Sequence, residues 1–290
     1  MSTAERPFLE LLFRKYMSNP GIDAANAEFW NELCGSHLAT SLGIRDRSLE
    51  SLKRFDNAYL DYYPYLSRYA KWPQLKGQKV LEVGLGYGTL GQKIAESGAG
   101  YTGLDLAEGP VKMMKHRLRM QNLSGNVIRG NILNAPIQSE TLDCVISIGC
   151  FHHTGDVRGC IDQTYRVLKP GGVAILMLYN KFSYRQWLRW PKPTFRGLAN
   201  ELGLSGSGPA ANQQQRAAYD SDVTGSAAPE TAFLSIRELR RMFEKYSRVS
   251  FHKENCDELT LRGRVLSQRK TLLPSLGKLW GLDIYIEAHK

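Results

Sequence analysis

The stretch Lys79-Val80-Leu81-Glu82-Val83-Gly84-Leu85-Gly86-Tyr87-Gly88-Thr89 decides the fold. Residues 80–83 form a short apolar run of β type. A glycine turn follows, and residues 90–97 read as a helix. Strand, glycine turn and helix together make the first unit of a nucleotide-binding α/β sheet. Glycines let the backbone turn tightly and come close to a ligand. The helix start behind them offers free N–H groups and a positive dipole end.

Spacing narrows the ligand. The dinucleotide fingerprint G-x-G-x-x-G needs its third glycine at position 89, where this chain has Thr89; here the pattern is G-x-G-x-G, at Gly84, Gly86 and Gly88. Further on, Tyr101-Thr102-Gly103-Leu104-Asp105 reads as a second strand ending in an acid. A carboxylate there accepts the two hydroxyls of a ribose. A free diol suits NAD or S-adenosylmethionine, and the 2′-phosphate of NADP would be repelled.

In these residues the sequence resembles the class I S-adenosylmethionine-dependent methyltransferases. The resemblance runs through VLEVGLGYGT (80–89), GLDL with Asp105, GNI (130–132), LDCVISIGCFHHT (142–154) and LKPGGVAILMLYN (168–180). It implies a Rossmann-like, seven-stranded, mostly parallel sheet with helices on both faces. S-adenosylmethionine would be the methyl donor and S-adenosylhomocysteine the product. By the resemblance, Gly84, Gly86 and Gly88 make room for the methionyl part and Glu82 holds its amino group. Asp105 takes the ribose, Asn131 and Ile132 the adenine, and Gly149 opens a turn that lines the site. The family often has Asp where this chain has Asn131, which leaves the polarity of that contact open.

Outward from this centre, residues 1–75 are expected to form a helical cap. Helices are expected over 3–18, 24–33 and 49 to about 62. Tyr59, Tyr62, Tyr63 and Tyr65 are candidates for an aromatic wall over the ligand. Residues 76–290 would be the methyltransferase domain. Its further helices are expected at 109–121 and 158–167 and its strands at 126–129, 142–148 and 173–178, with Lys169-Pro170-Gly171-Gly172 as a turn. Residues 203–232, rich in Gly, Ser, Ala and Gln, read as a long flexible insertion that could act as a lid. Ser235 and Glu238 make a capping box for a helix over 236–243. Strands at 249–252 and 283–288 would complete the sheet, the last as an antiparallel edge.

Composition is that of a globular chain, with 290 residues, 42% hydrophobic and 23% charged. The net charge of +10 suits ordinary surface chemistry or an acidic small substrate, and leaves nucleic acid or an anionic membrane surface as the sharper alternative. Arg185, Trp187, Arg189, Trp190, Lys192, Phe195 and Arg196 interleave bases with aromatics, as an RNA-stacking surface, a membrane-interface seat or a half-packed lid would. Five scattered cysteines show no zinc spacing and fit a reducing cytosol. No run of apolar residues is long enough to span a membrane, so a cytoplasmic protein is expected.

Methyl transfer is an in-line displacement, helped mainly by alignment. A base is needed only where the acceptor must lose a proton. His152 and His153, in the turn after a central strand, are the best-placed candidates. Tyr179 could orient the acceptor. The favoured reading is transfer to O or N of a small molecule. An RNA (tRNA) methyltransferase and a non-catalytic donor-binding subunit are the alternatives, and oligomeric state is not legible.

Overall fold

The structure, a computed structural model, describes residues 20–32, 36–204, 210–261 and 264–290. The helix expected over 3–18 and Cys34 lie outside them. Nine strands are described: β1 (Lys79–Val83), β2 (Gly100–Asp105), β3 (Asn126–Arg129), β4 (Leu142–Ile148), β5 (Leu168–Tyr179), β6 (Arg248–Glu254), β7 (Leu259–Leu261), β8 (Arg264–Ser267) and β9 (Asp283–His289). Seven of them form one sheet in the order β3-β2-β1-β4-β5-β9-β6, and β7 with β8 makes a separate hairpin. The pairs β1/β2, β2/β3, β1/β4 and β4/β5 are parallel, while β9 is antiparallel to both neighbours. Strand order reverses between β1 and β4, which opens a crevice at their carboxyl ends.

β4 and β5 are continuous apolar runs because both faces of the sheet are covered. On one face, helices Val157–Val167 and Ile236–Met242 pack over Leu81, Val145 and Leu176. On the other, helices Leu66–Ala70, Thr89–Glu96 and Glu108–Met120 pack over Val80, Ile146 and Tyr285. The expected capping box is present at Ser235 and Glu238.

Four local expectations differ from the structure. Strand β9 is interior, between β5 and β6, and β6 is the edge; five of β9's seven residues, Asp283, Ile284, Tyr285, Ile286 and Ala288, are buried, so its polar positions do not mark a solvent-facing side. The stretch 169–172 belongs to β5. Its irregularity is absorbed by a register shift between Leu142 and Cys144 and by Gly171 at φ +79°. The helix expected at 24–33 spans Pro20–Phe29, because a proline in the first turn fits a helix start and does not end it. Within 203–232, residues Gln213–Ala217 form a helix with its own capping box, Asn212 to Gln215.

Candidate active site

The glycine turn after β1 is pressed between two elements. Gly84 has φ +83°, and a Cβ on it would meet the Cys150 Cβ at 2.5 Å. Gly88 has φ +81°, and a Cβ there would meet Arg117 Cδ at 2.8 Å. Both positions therefore need glycine for conformation and for space. A cleft opens above this turn, lined by Glu82, Gly84, Gly86 and Gly88 and by Asp105 at the end of β2. Asn131 and Ile132 beyond β3, and Gly149 after β4, complete that side. All eight residues singled out for the donor are thus gathered around one cleft.

Asp105 accepts hydrogen bonds from the Leu85 N–H (2.7 Å) and the Ala107 N–H (2.8 Å). Burial still pushes its carboxyl up to about 6. The Leu106 N–H also bonds it, so of about four lone-pair sites on a carboxylate about one remains for a ligand. Glu82 is buried and accepts from the Tyr101 hydroxyl at 2.5 Å. Burial raises it to about 8, against the pull of that hydrogen bond. Asn131 Oδ1 accepts from the Leu133 N–H at 3.0 Å and caps the short turn Ile132–Asn134.

The opposite wall comes from the N-terminal helices. Asp23, Asn26, Trp30, Phe55 and Tyr59 line it. Of the four tyrosines proposed from sequence, only Tyr59 does so. Tyr62 lies under the Arg269 guanidinium, 3.9 Å from ring centroid to carbon, and Tyr65 meets Tyr285 of β9 edge-on at 5.6 Å. Phe55 and Tyr59, four residues apart, share a face of the helix Leu49–Tyr62, whereas Tyr62, Tyr63 and Tyr65 stand at or beyond its C-terminal end and are not among the lining residues. Phe55 stacks on Tyr87 of the glycine turn at 3.9 Å.

Behind this wall lies a buried network that sequence reasoning missed. Arg117 is fully buried and bidentate to Asp56, with both N–O distances 2.9 Å. It also donates to the Tyr87 carbonyl at 2.7 Å and to Gln92 at 2.8 Å, and Thr89 donates to Asp56 at 2.6 Å. The cap helix, the glycine turn and two sheet helices are locked by this one guanidinium.

The two histidines differ. His153 lines the cleft, its ring 4.7 Å from that of Trp30 and its carbonyl accepting from Asn26 Nδ2 at 2.6 Å. His152 is fully buried behind it and is not among the lining residues; burial, with His153 beside it, holds its pKa well below the usual range. Tyr179 lies 4.0 Å from the His152 ring and hydrogen-bonds Asp220. Asp220 and Glu230 reach this corner from the stretch read only as an insertion. Asp220 Oδ2 is 3.5 Å from His153 Nε2, and the Glu230 carbonyl is 2.7 Å from His153 Nδ1. Burial raises the Asp220 carboxyl despite His153.

The basic and aromatic stretch is partly spent on packing. Arg185 is bidentate to Asp257 (2.9 and 2.7 Å) and lies over the Tyr219 ring, while Trp187 meets Phe182 and Trp280. Among the described residues, no helix is long and apolar enough to cross a membrane.

A reversed, mostly parallel sheet with a glycine cradle and an acid at the next strand end defines a nucleoside-binding α/β domain. Residues 81–176 match the family model described as a methyltransferase domain. The phthiotriol/phenolphthiotriol dimycocerosates methyltransferase of Mycobacterium tuberculosis is 33% identical over 129 residues, 44% of this chain and 46% of that one. The demethylmenaquinone methyltransferase of Tropheryma whipplei is 28% identical over 42% of this chain and 53% of its own. The chain therefore spans about half the length of the curated relatives it matches. Among solved structures, a chain of the Haloferax volcanii complex of the Trm112 methyltransferase activator with a methyltransferase superposes with TM-score 0.52. It is 14% identical, with 81% of this chain and 92% of that one covered. A Methanosarcina mazei protein titled as a SAM-dependent methyltransferase gives 0.50, at 18% identity, 79% and 97% covered. These two speak for the fold. Over residues 81–176 the chain is thus similar to methyltransferase domains. The groove fits S-adenosylmethionine: the cradle at Gly84 and Gly88 is kept open by glycine, and Asp105 retains a lone pair beside it.

Proposed function

We propose that the protein is an S-adenosylmethionine-dependent methyltransferase acting on O or N of a small-molecule acceptor. The observation that carries this reading is the open glycine cradle with Asp105 beside it at the carboxyl edge of the sheet. The bound donor would supply a methyl group on a positively charged sulfur. Gly84, Gly86 and Gly88 give it space, Glu82 faces its ammonium, Asp105 accepts from its ribose, and Asn131, Ile132 and Gly149 border its base. His153, with His152 and Tyr179 behind it, forms the acceptor side, where a hydroxyl acceptor is activated.

Two observations support a small acceptor. The wall of Trp30, Phe55 and Tyr59 offers flat apolar surface to an organic molecule. The relatives are named for acceptors such as demethylmenaquinone and 2-methyl-6-phytyl-1,4-hydroquinone, which are small molecules. The pairing of Arg185 with Asp257 takes one base out of a nucleic-acid surface. Among the described residues no two cysteines form a disulfide, which supports action in a reducing cytoplasm.

Calorimetry with the donor tests the reading. Wild type should bind it, and Asp105→Ala should lose affinity by at least about tenfold, since each bond to a charged acceptor is worth about 1.5–3 kcal/mol. Labelled donor incubated with small-molecule and RNA fractions of an extract then separates the acceptor classes. Label appearing only in RNA, or no donor binding at all, would overturn it.

A further inference from the structure

We propose that His152, His153 and Asp220 form a binding site for one divalent transition-metal ion beside the acceptor end of the cleft. One ligand atom from each lies within 4.8 Å of the other two. The inventory of protons points to a cation. His153 Nδ1 faces the Glu230 carbonyl at 2.7 Å. A carbonyl only accepts, so Nδ1 carries the hydrogen, and Nε2 of the neutral ring is a bare lone pair. That lone pair faces Asp220 Oδ2, another acceptor, at 3.5 Å, and neither atom has a hydrogen-bond donor. His152 adds a third lone pair: its ring is fully buried and neither nitrogen has a hydrogen-bond partner. Acceptors facing acceptors in a buried corner repel, and unpaired buried polar atoms are costly. A cation among them removes both penalties. A proton on His153 would satisfy its pair with Asp220 and still leave His152 alone.

The donor set selects the ion. Two imidazoles and a carboxylate suit zinc, iron(II) and their neighbours, often with a position left open, whereas magnesium and calcium want oxygen ligands. At metal–ligand bonds of about 2.1 Å, neighbouring ligands of a tetrahedral ion stand about 3.4 Å apart. The His153–Asp220 separation of 3.5 Å already matches that edge. The partners one shell out are also in place: the Glu230 carbonyl orients His153 and the Tyr179 hydroxyl holds Asp220. His153 lines the cleft, so the ion would sit next to it.

Two of its ligands, His152 and His153, border the acceptor side of the cleft, so metal binding, and not turnover, is the readout. Chelator-treated full-length protein is titrated with zinc(II) against a chromophoric competitor, and with cobalt(II) by visible absorption. The expected result is one equivalent per chain, with ligand-field bands and no thiolate charge-transfer band. Asp220→Ala and His152→Ala should each weaken zinc by about a hundredfold or more, above the 10–100-fold cost of an outer-shell change. His37→Ala, at an exposed histidine, should not. Donor calorimetry on each variant checks that it has folded. Should both variants fail to fold, X-ray absorption of the zinc-loaded wild type decides between imidazole and thiolate ligation. No stoichiometric binding, thiolate ligation, or affinity unchanged in folded Asp220→Ala and His152→Ala would overturn the site. So would a metal-free protein that shows a charged His153 by NMR and refuses zinc.

Discussion

Glu82 and Asp105 sit a strand apart at the same cleft, and burial raises both. Glu82 titrates at about 8 in the folded chain against 4.5 for an ordinary glutamate. Between those values the folded state holds a proton that the unfolded state has released, so stability falls as pH rises through that window. Glu82→Gln removes the titration. Its melting temperature should gain on wild type from about pH 4.5 to about pH 8 and run parallel above; a pH-independent difference would place Glu82 in the normal range. A donor ammonium beside Glu82 would favour its carboxylate, so donor binding near pH 7 should release a proton. The measured binding heat should then scale with the ionisation enthalpy of the buffer. Asp105 gives a separate signature. Its carboxyl sits at about 6, and once protonated it accepts fewer hydrogen bonds. Donor affinity should drop below that pH in wild type and stay flat in Asp105→Asn.

Elements are fixed to one another by the Asp56–Arg117 pair more than by any exposed ion pair. Arg117→Met leaves Asp56 buried without its partner and should cost about 3–5 kcal/mol in chemical denaturation. Asp56→Leu combined with Arg117→Met should recover much of this, since a buried pair replaced by apolar groups is often near neutral. Donor affinity should fall in the single variant as well, because Arg117 also holds the Tyr87 carbonyl of the glycine turn. A single variant as stable as wild type would mean that the pair is solvated. This network also marks the limit of sequence reading. β1 to β4 were legible from short apolar runs and glycines, which are local signals. Arg117 lies in Lys-His-Arg-Leu-Arg, where one base in a charged run looks like any other until the helix is set against the cap. Asp220 stood in a stretch of small and polar residues with no period to place it. The order β5-β9-β6 depends on which strand finds which, a property of the packed chain that no residue spacing encodes.

At the scale of the molecule, the cap and the sheet share one core. Leu66, Ala70 and Leu75 pack with Val80, Ile146 and Tyr285. Arg68 pairs with Glu254 of β6, and Lys71 with Glu287 of β9 at 2.6 Å. Arg269, after the β7–β8 hairpin, lies over Tyr62 and donates to its carbonyl. We therefore propose that the expected boundary near residue 75 divides layers of one cooperative unit and not two that fold apart. Calorimetry of the full chain should show a single transition, because melting the cap would expose the apolar face of the sheet helices. A chain starting at residue 76 should be aggregated or molten, since Leu90, Ile94 and Met114 would lose their cover. Saturating donor should move the whole transition upward, by about 2.7 kcal/mol at a hundred times its Kd. Two resolved transitions, only one of them shifted by donor, would instead make the cap a domain of its own and its aromatic wall a movable part of the site.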